Sequence, residues 1–268
     1  MCIRDRTTGL AEEGRVLFMN WKNPSGPNEW ASIARGVEDD VIDATAAHIA
    51  AFGEPMFLTF YHEPEDNIRS AAPDSPARQA ELVQDYADAW RHIHDRFEAA
   101  GADNAIFVWD VTGFLNNWEW MYEGGLYPGD DIIDWVAWNQ YNWYGCHTNA
   151  RWQEPVETFG IFYDWLDEGG PNRPSLDKPL MLGEFSTQEN DGNSGSSQTK
   201  GDWYRAIPDT IADELPRLKA LVLFDTEGRR PSGDVQFCEW SMHSSPDALA
   251  GWTEATSDPR WNRWFADD

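Results

Sequence analysis

The feature that most constrains this chain is one pattern repeated six times. A short, continuously apolar run stops on a polar or aromatic residue, and a helical stretch or a long loop follows. The runs begin near residues 16, 56, 105, 134, 179 and 220. Because they are apolar throughout rather than alternating, they read as strands buried on both faces, the mark of a parallel sheet covered by helices. Between them, Val41, Ile42, Ala46, Ile49 and Phe52 recur at helical spacing, and Gly53 ends that helix. A longer helix over about residues 76–100 carries Leu82, Tyr86, Trp90, Ile93 and Phe97 on one face. Further helices are expected at 155–168, near 202–215 and after Ser245. Residues 64–75 read as a polar loop, and 114–122 as a loop carrying a short helix.

The residues that close these runs carry chemistry: Trp21, His62 and Glu63, Trp109, Asn139 and Tyr141, Glu184, and Asp225. Chemistry spread over so many strand ends fits an α/β fold of the (β/α)8 TIM-barrel type. A doubly wound sheet would concentrate it at one switch point, beside a Gly-rich turn that this sequence lacks. Six units are counted, and too few residues precede the first to supply two more. The expectation is therefore a barrel missing its first two βα units, with two strand edges left unpaired. Residues 1–6 have no structural logic and are set aside as a non-native leader, leaving 7–268 as a single catalytic domain.

Composition narrows the partners. A formal charge of −27 and a pI near 4.3 argue against nucleic acid and anionic membrane surfaces. No run approaches the roughly 18 apolar residues of a membrane span. The 16 Trp include rings beyond what packing needs, and sugars stack well on such faces, although large cores also hold Trp. Cys2, Cys146 and Cys238 show no close-spaced pair of the kind that holds zinc.

Two runs end on a glutamate, at Glu63 and Glu184, three units apart. Retaining glycoside hydrolysis needs two carboxyl groups roughly 5 Å apart, one protonating the leaving oxygen and one attacking the anomeric carbon. Tyr141 is placed to hydrogen-bond Glu184, and His62 to reach the nucleophile or a sugar hydroxyl. Each residue also has an ordinary reading. A glutamate after a strand is commonly solvated; Trp21, Trp109 and Trp143 serve packing as readily as sugar stacking; Asp225 suits a supporting hydrogen bond. His92 and His94 read as satisfied mid-helix residues, and the acidic pairs Asp39-Asp40 and Asp130-Asp131 as helix-cap and turn residues.

Four motifs together give a more specific reading. His62-Glu63-Pro64-Glu65-Asp66-Asn67, Tyr127-Pro128-Gly129-Asp130-Asp131, the stretch from Asp134-Trp135-Val136 to Tyr141-Asn142-Trp143, and Leu182-Gly183-Glu184-Phe185 resemble glycoside hydrolase family 26. The resemblance covers about residues 14–265. It implies a retaining barrel enzyme with Glu63 as acid/base, Glu184 as nucleophile, and His62, Trp21, Trp109, Asn139, Tyr141, Trp143 and Asp225 as sugar-contacting candidates. Cys146 and Cys238 then follow strands on the catalytic face and are candidates for a disulfide. Two departures bear on the substrate: Pro64-Glu65-Asp66 stands where family mannanases often have Met-Asn-Gly, and Asn139 where many members have Asp. The expected activity is endo-β-1,4-mannanase, with β-1,3-1,4-glucanase and β-1,3-xylanase as family alternatives. The enzyme is expected to be a secreted monomer acting on polysaccharide, with no cofactor and no metal. The competing readings are a non-catalytic glycan-binding fragment and a metal-dependent hydrolase using His62, Glu63, Asp225 and His243.

Overall fold

The computed structural model describes residues 14–22, 26–227 and 238–261. The leader at 1–6 lies outside the described residues. Six strands follow one another in the hydrogen-bonded order β1-β2-β3-β4-β5-β6: β1 Leu17–Trp21, β2 Met56–Phe60, β3 Ala105–Val111, β4 Trp135–Asn142, β5 Leu180–Thr187 and β6 Leu218–Leu223. Each begins within two residues of the position read from the sequence. The chain divides into two compact units, one formed by residues 1–137 with 166–179, the other by 138–165 with 180–268.

In the first unit β1, β2 and β3 pair in parallel, with Leu17 opposite Met56 and Met56 opposite Ala105. The helix α1 (Trp30–Ile33) precedes α2 (Asp39–Phe52), which ends as expected on Gly53 in the left-handed region at φ 80°. The longest helix, α4 (Pro76–Ala99), starts on Ser75, whose hydroxyl accepts the Arg78 N–H, with Pro at the first helical position. Its buried face runs through Leu82, Tyr86, Trp90, Ile93 and Phe97. Tyr86 stacks on Phe60 at 6.0 Å and donates to the Phe60 carbonyl at 3.1 Å, while Trp30 packs on Tyr86 at 5.1 Å. A chain of aromatic rings thus fixes where β2 ends. His92 is bonded to Asp39 at 2.6 Å, so both have structural partners.

Residues 64–75 are not simply a polar loop. Pro64–Ala71 forms a helix, α3, which buries Pro64, Glu65 and Ile68. The sparse apolar pattern concealed it, because its inward face is filled partly by a carboxyl group. Residues Leu115–Met121 form the short helix α5, within the segment where one was expected.

In the second unit β5 and β6 pair in parallel, with register shifts on β5 between Leu180 and Met181 and between Leu182 and Phe185. Helix α6 (Pro155–Glu168) contributes Phe159, which packs edge-on against Phe185 at 5.7 Å. Helix α7 (Lys200–Asp213) opens with a reciprocal capping box between Thr199 and Asp202. It crosses α8 (Pro246–Thr256) so closely that a Cβ on Gly251 would lie 2.2 Å from the Gly201 carbonyl oxygen. Any side chain at Gly251 would force these helices apart.

Candidate active site

In the first unit, β2 leads into an unusual turn. Tyr61 and Glu63 both adopt left-handed backbone, at φ 52° and 54°, on either side of His62. Non-glycine residues adopt this conformation at a cost of about 1–3 kcal/mol each, and it clusters where a side chain must be aimed. Here the turn is held by hydrogen bonds to both neighbouring strands. The Tyr61 N–H donates to the Trp21 carbonyl at 3.0 Å and the Glu63 N–H to the Asp110 carbonyl at 3.0 Å. Glu63 is also the N-cap residue of α3, with Pro64 at the first helical position. The rigidity of proline and the ladder bonds on both sides hold the carboxylate's backbone in place.

His62 is oriented by Asn20, a residue the sequence reading passed over. The Asn20 Oδ1 accepts the His62 backbone N–H at 3.3 Å, and Nδ2 contacts His62 Nδ1. Because a backbone amide can only donate, Oδ1 must face it, and Nδ2–H is left to face the ring. Nδ1 therefore accepts, and the ring proton sits on Nε2, which lies 4.0 Å from Glu63 Oε2. Burial, and then the Lys22 charge, push the His62 pKa down to about 4, so the ring is neutral over the ordinary pH range. The available signal was Asn20 itself, a carboxamide near the end of an apolar run.

In the second unit, Glu184 lies within the register shift between Leu182 and Phe185 on β5. Irregularities of this kind re-aim side chains beside functional sites. The Tyr141 hydroxyl donates to Glu184 Oε2 at 2.5 Å, the bond expected from the sequence. Tyr141 itself is buried in a cage: Trp240 at 4.7 Å, Trp143 at 5.2 Å and Phe224 edge-on at 5.8 Å. Cys146 and Cys238 close that cage with a disulfide across a sequence separation of 92, their Cα atoms 5.1 Å apart. The Ser186 hydroxyl, beside Glu184, donates to the Trp240 carbonyl at 2.9 Å.

The remaining candidates fall into two groups. Trp21 and Trp143 are half-buried, the latter packed on Tyr141 and Trp240. Trp109 and Asn139 are buried; Trp109 meets Tyr122 and Tyr127 edge-on at 5.8 and 5.1 Å, which is a packing role. Asp225 accepts the Met242 N–H at 2.9 Å, a supporting bond for the segment that carries Trp240. Asp130 accepts from Tyr127 at 2.7 Å and from the Ser175 N–H at 3.1 Å, as turn chemistry predicts. Among the described residues, the side chains grouped closely enough to hold a cation are His94, Asp95 and Glu98 on α4, where both acids are exposed.

Buried charge was the signal most easily missed. Lys200 is fully buried and donates to the Glu239 carbonyl at 3.1 Å. Burial pulls its pKa down to about 8 against the opposing charges of Glu189, Glu239 and Asp225.

No protein-family model matches the chain. Two curated relatives do. Endoglucanase H of Acetivibrio thermocellus is 27% identical over 258 residues, 94% of this chain and 25% of that protein. Beta-1,3-xylanase TXYA of a Vibrio species is 22% identical over 251 residues, 88% of this chain and 50% of that protein. The chain thus spans between a quarter and a half of the length of these relatives. Among solved structures, a GH26 β-mannanase from Bacteroides ovatus superposes with a TM-score of 0.53 at 18% identity, covering 96% of this chain and 72% of that one. The chain is therefore similar in sequence to a curated endoglucanase and a curated β-1,3-xylanase, and it shares its fold with a family-26 β-mannanase.

Proposed function

We propose that this chain is the catalytic part of a family-26 retaining endo-β-glycanase, with Glu63 as general acid/base and Glu184 as nucleophile. The observation that carries the reading is the Tyr141–Glu184 hydrogen bond at 2.5 Å, on a carboxylate set at a strand irregularity and backed by an aromatic cage. A phenol held rigidly from behind fixes the carboxylate's orientation, which an attacking oxygen needs and a solvated surface acid lacks.

In the first step Glu63 protonates the glycosidic oxygen while Glu184 attacks the anomeric carbon. The C–O bond to the leaving sugar breaks as the bond to Glu184 forms. In the second step Glu63, now a carboxylate, takes a proton from water, and that water displaces Glu184 with net retention. His62 supplies a neutral Nε2–H donor for the glutamate or for a sugar hydroxyl. Trp21 and Trp143 are the rings proposed for stacking against sugar.

β-1,4-Mannan is the proposed substrate, on the resemblance of the four motifs to family 26. The names of the curated relatives support a second reading, in which the substrate is a β-glucan or β-1,3-xylan. Incubation with mannan, lichenan and β-1,3-xylan, followed by sizing of the products, tests both. Short oligosaccharides from mannan support the first reading, and release from lichenan or xylan alone supports the second. Binding of glycan without reducing-end release from any of the three would overturn the enzymatic reading.

A further inference from the structure

Two residues beyond Glu63 stands a second glutamate with no role in that scheme. Glu65 is fully buried in the first turn of α3. Three donors converge on its Oε1: the Thr112 N–H at 3.0 Å, the Thr112 hydroxyl at 3.2 Å and the Tyr122 hydroxyl at 2.5 Å. Its Oε2 is buried and without a hydrogen-bond partner among the described residues. A bare Oε2 in the interior is costly in either state, as a carboxylate oxygen lacking a donor or as an O–H lacking an acceptor, so the carboxyl group relies on the three bonds to Oε1. Burial pushes the carboxyl up to about 7, against the pull of Tyr122 and Thr112, and the nearby Glu63 charge adds to the rise.

Its partners lie on one segment. Thr112 follows β3, and its hydroxyl also accepts the Phe114 N–H at 3.3 Å. Tyr122 follows α5, which carries Trp118 and the exposed Trp120, while Phe114 is exposed just before it. From α3 itself, Arg69 lies over the Trp118 ring at 5.0 Å. One carboxyl group therefore ties the helix whose N-cap is Glu63 to an aromatic segment at the carboxyl end of the next strand. It stands in the Pro64-Glu65-Asp66 stretch where the chain departs from the mannanase pattern.

We propose that Glu65 is a positioning residue: it fixes the aromatic segment 112–122 against the turn that aims Glu63, and so places the polysaccharide on the acid. This rests on the assignment of Glu63 above. The test compares Glu65→Gln, which keeps an accepting carbonyl, with Glu65→Leu, which keeps bulk alone. Hydrogen exchange over 112–122 is followed alongside kinetics on polysaccharide and on an aryl β-glycoside whose leaving group needs no acid. We expect Glu65→Leu to speed exchange in that segment. Its polysaccharide kcat/KM should fall about tenfold or more, with less than about a threefold change on the aryl glycoside. Glu65→Gln should restore most of the loss. Should Glu65→Leu fail to fold, Tyr122→Phe combined with Thr112→Val removes the same hydroxyl bonds from the other side, and the same readouts apply. Unchanged exchange and unchanged polysaccharide kinetics in a cooperatively melting variant would overturn the proposal. A wild-type chain inactive on every glycan would instead defeat the assignment of Glu63, while the exchange data would still decide whether Glu65 anchors the segment.

Discussion

Glu63 and Glu184 are each aimed by irregular backbone, but by opposite means. Glu63 sits past the end of β2 in left-handed conformation, with its main chain tied to the strands on both sides. Glu184 lies inside β5, at a register shift, and its side chain is held by Tyr141. One carboxylate is positioned through its backbone and the other through its carboxyl oxygen. The difference suits the proposed division of labour. An acid/base must gain and lose a proton in each cycle, and an anchored backbone keeps the carboxyl in place through both charge states. A nucleophile keeps one charge state until it attacks, so a direct hydrogen bond to it serves throughout.

The largest expected effect sharpens this contrast. Glu184→Ala should lower kcat by about 10⁴-fold or more on every substrate, because no covalent intermediate can form. Glu63→Ala should cost about 10²–10⁴-fold on polysaccharide and far less on an aryl glycoside with a good leaving group. Equal losses on both substrates for both variants would break the division. Next, Tyr141→Phe removes a hydrogen bond to a charged group, worth about 1.5–3 kcal/mol; if that full amount is lost at the transition state, kcat should fall roughly 10- to 150-fold. A loss under threefold would show that the cage alone orients Glu184.

How much of this was legible in the sequence follows from where the information lay. The six strands were readable because continuous apolar runs have few alternative structures. Glu63, Glu184 and Tyr141 stood out as candidates because they close such runs, and the Tyr141–Glu184 bond is present in the structure. Helix α3 was not readable, since its buried face includes Glu65, and a carboxyl group reads as solvated until its partners are known. Asn20 was missed for a related reason: its role depends on His62, 42 positions away. Trp109 shows the converse, because an aromatic residue near a strand end cannot be sorted into platform or packing by pattern alone. The Cys146–Cys238 pairing was reachable only through the strands those residues follow.

Two smaller effects separate the regions further. His62 has its pKa lowered from 6.5 to about 4, so between these values the unfolded chain binds more protons than the folded one. Its contribution to stability is complete above pH 6.5 and is lost as pH falls through about 4. The full shift corresponds to about 3 kcal/mol. Urea denaturation of wild type and His62→Gln should therefore show a gap that changes across this window, and parallel curves would contradict the half-buried, neutral histidine. The smallest effect is a crossing of signs. At Glu63, glycine should be more stable than alanine by about 1 kcal/mol, because left-handed backbone suits glycine. At Glu184, outside the left-handed region, alanine should be favoured by about 0.5–1 kcal/mol, as is usual in strands. The same order at both sites would erase the structural contrast.

The most direct test of the two assigned roles is the anomeric configuration of the glycosyl azide formed when azide is added to each alanine variant with an activated β-glycoside. Glu184→Ala should yield the α-azide, because azide attacks the sugar from the face the nucleophile has vacated. Glu63→Ala should yield the β-azide, because azide displaces Glu184 from the covalent intermediate. Exchanged configurations, or an azide product from neither variant, would contradict the account.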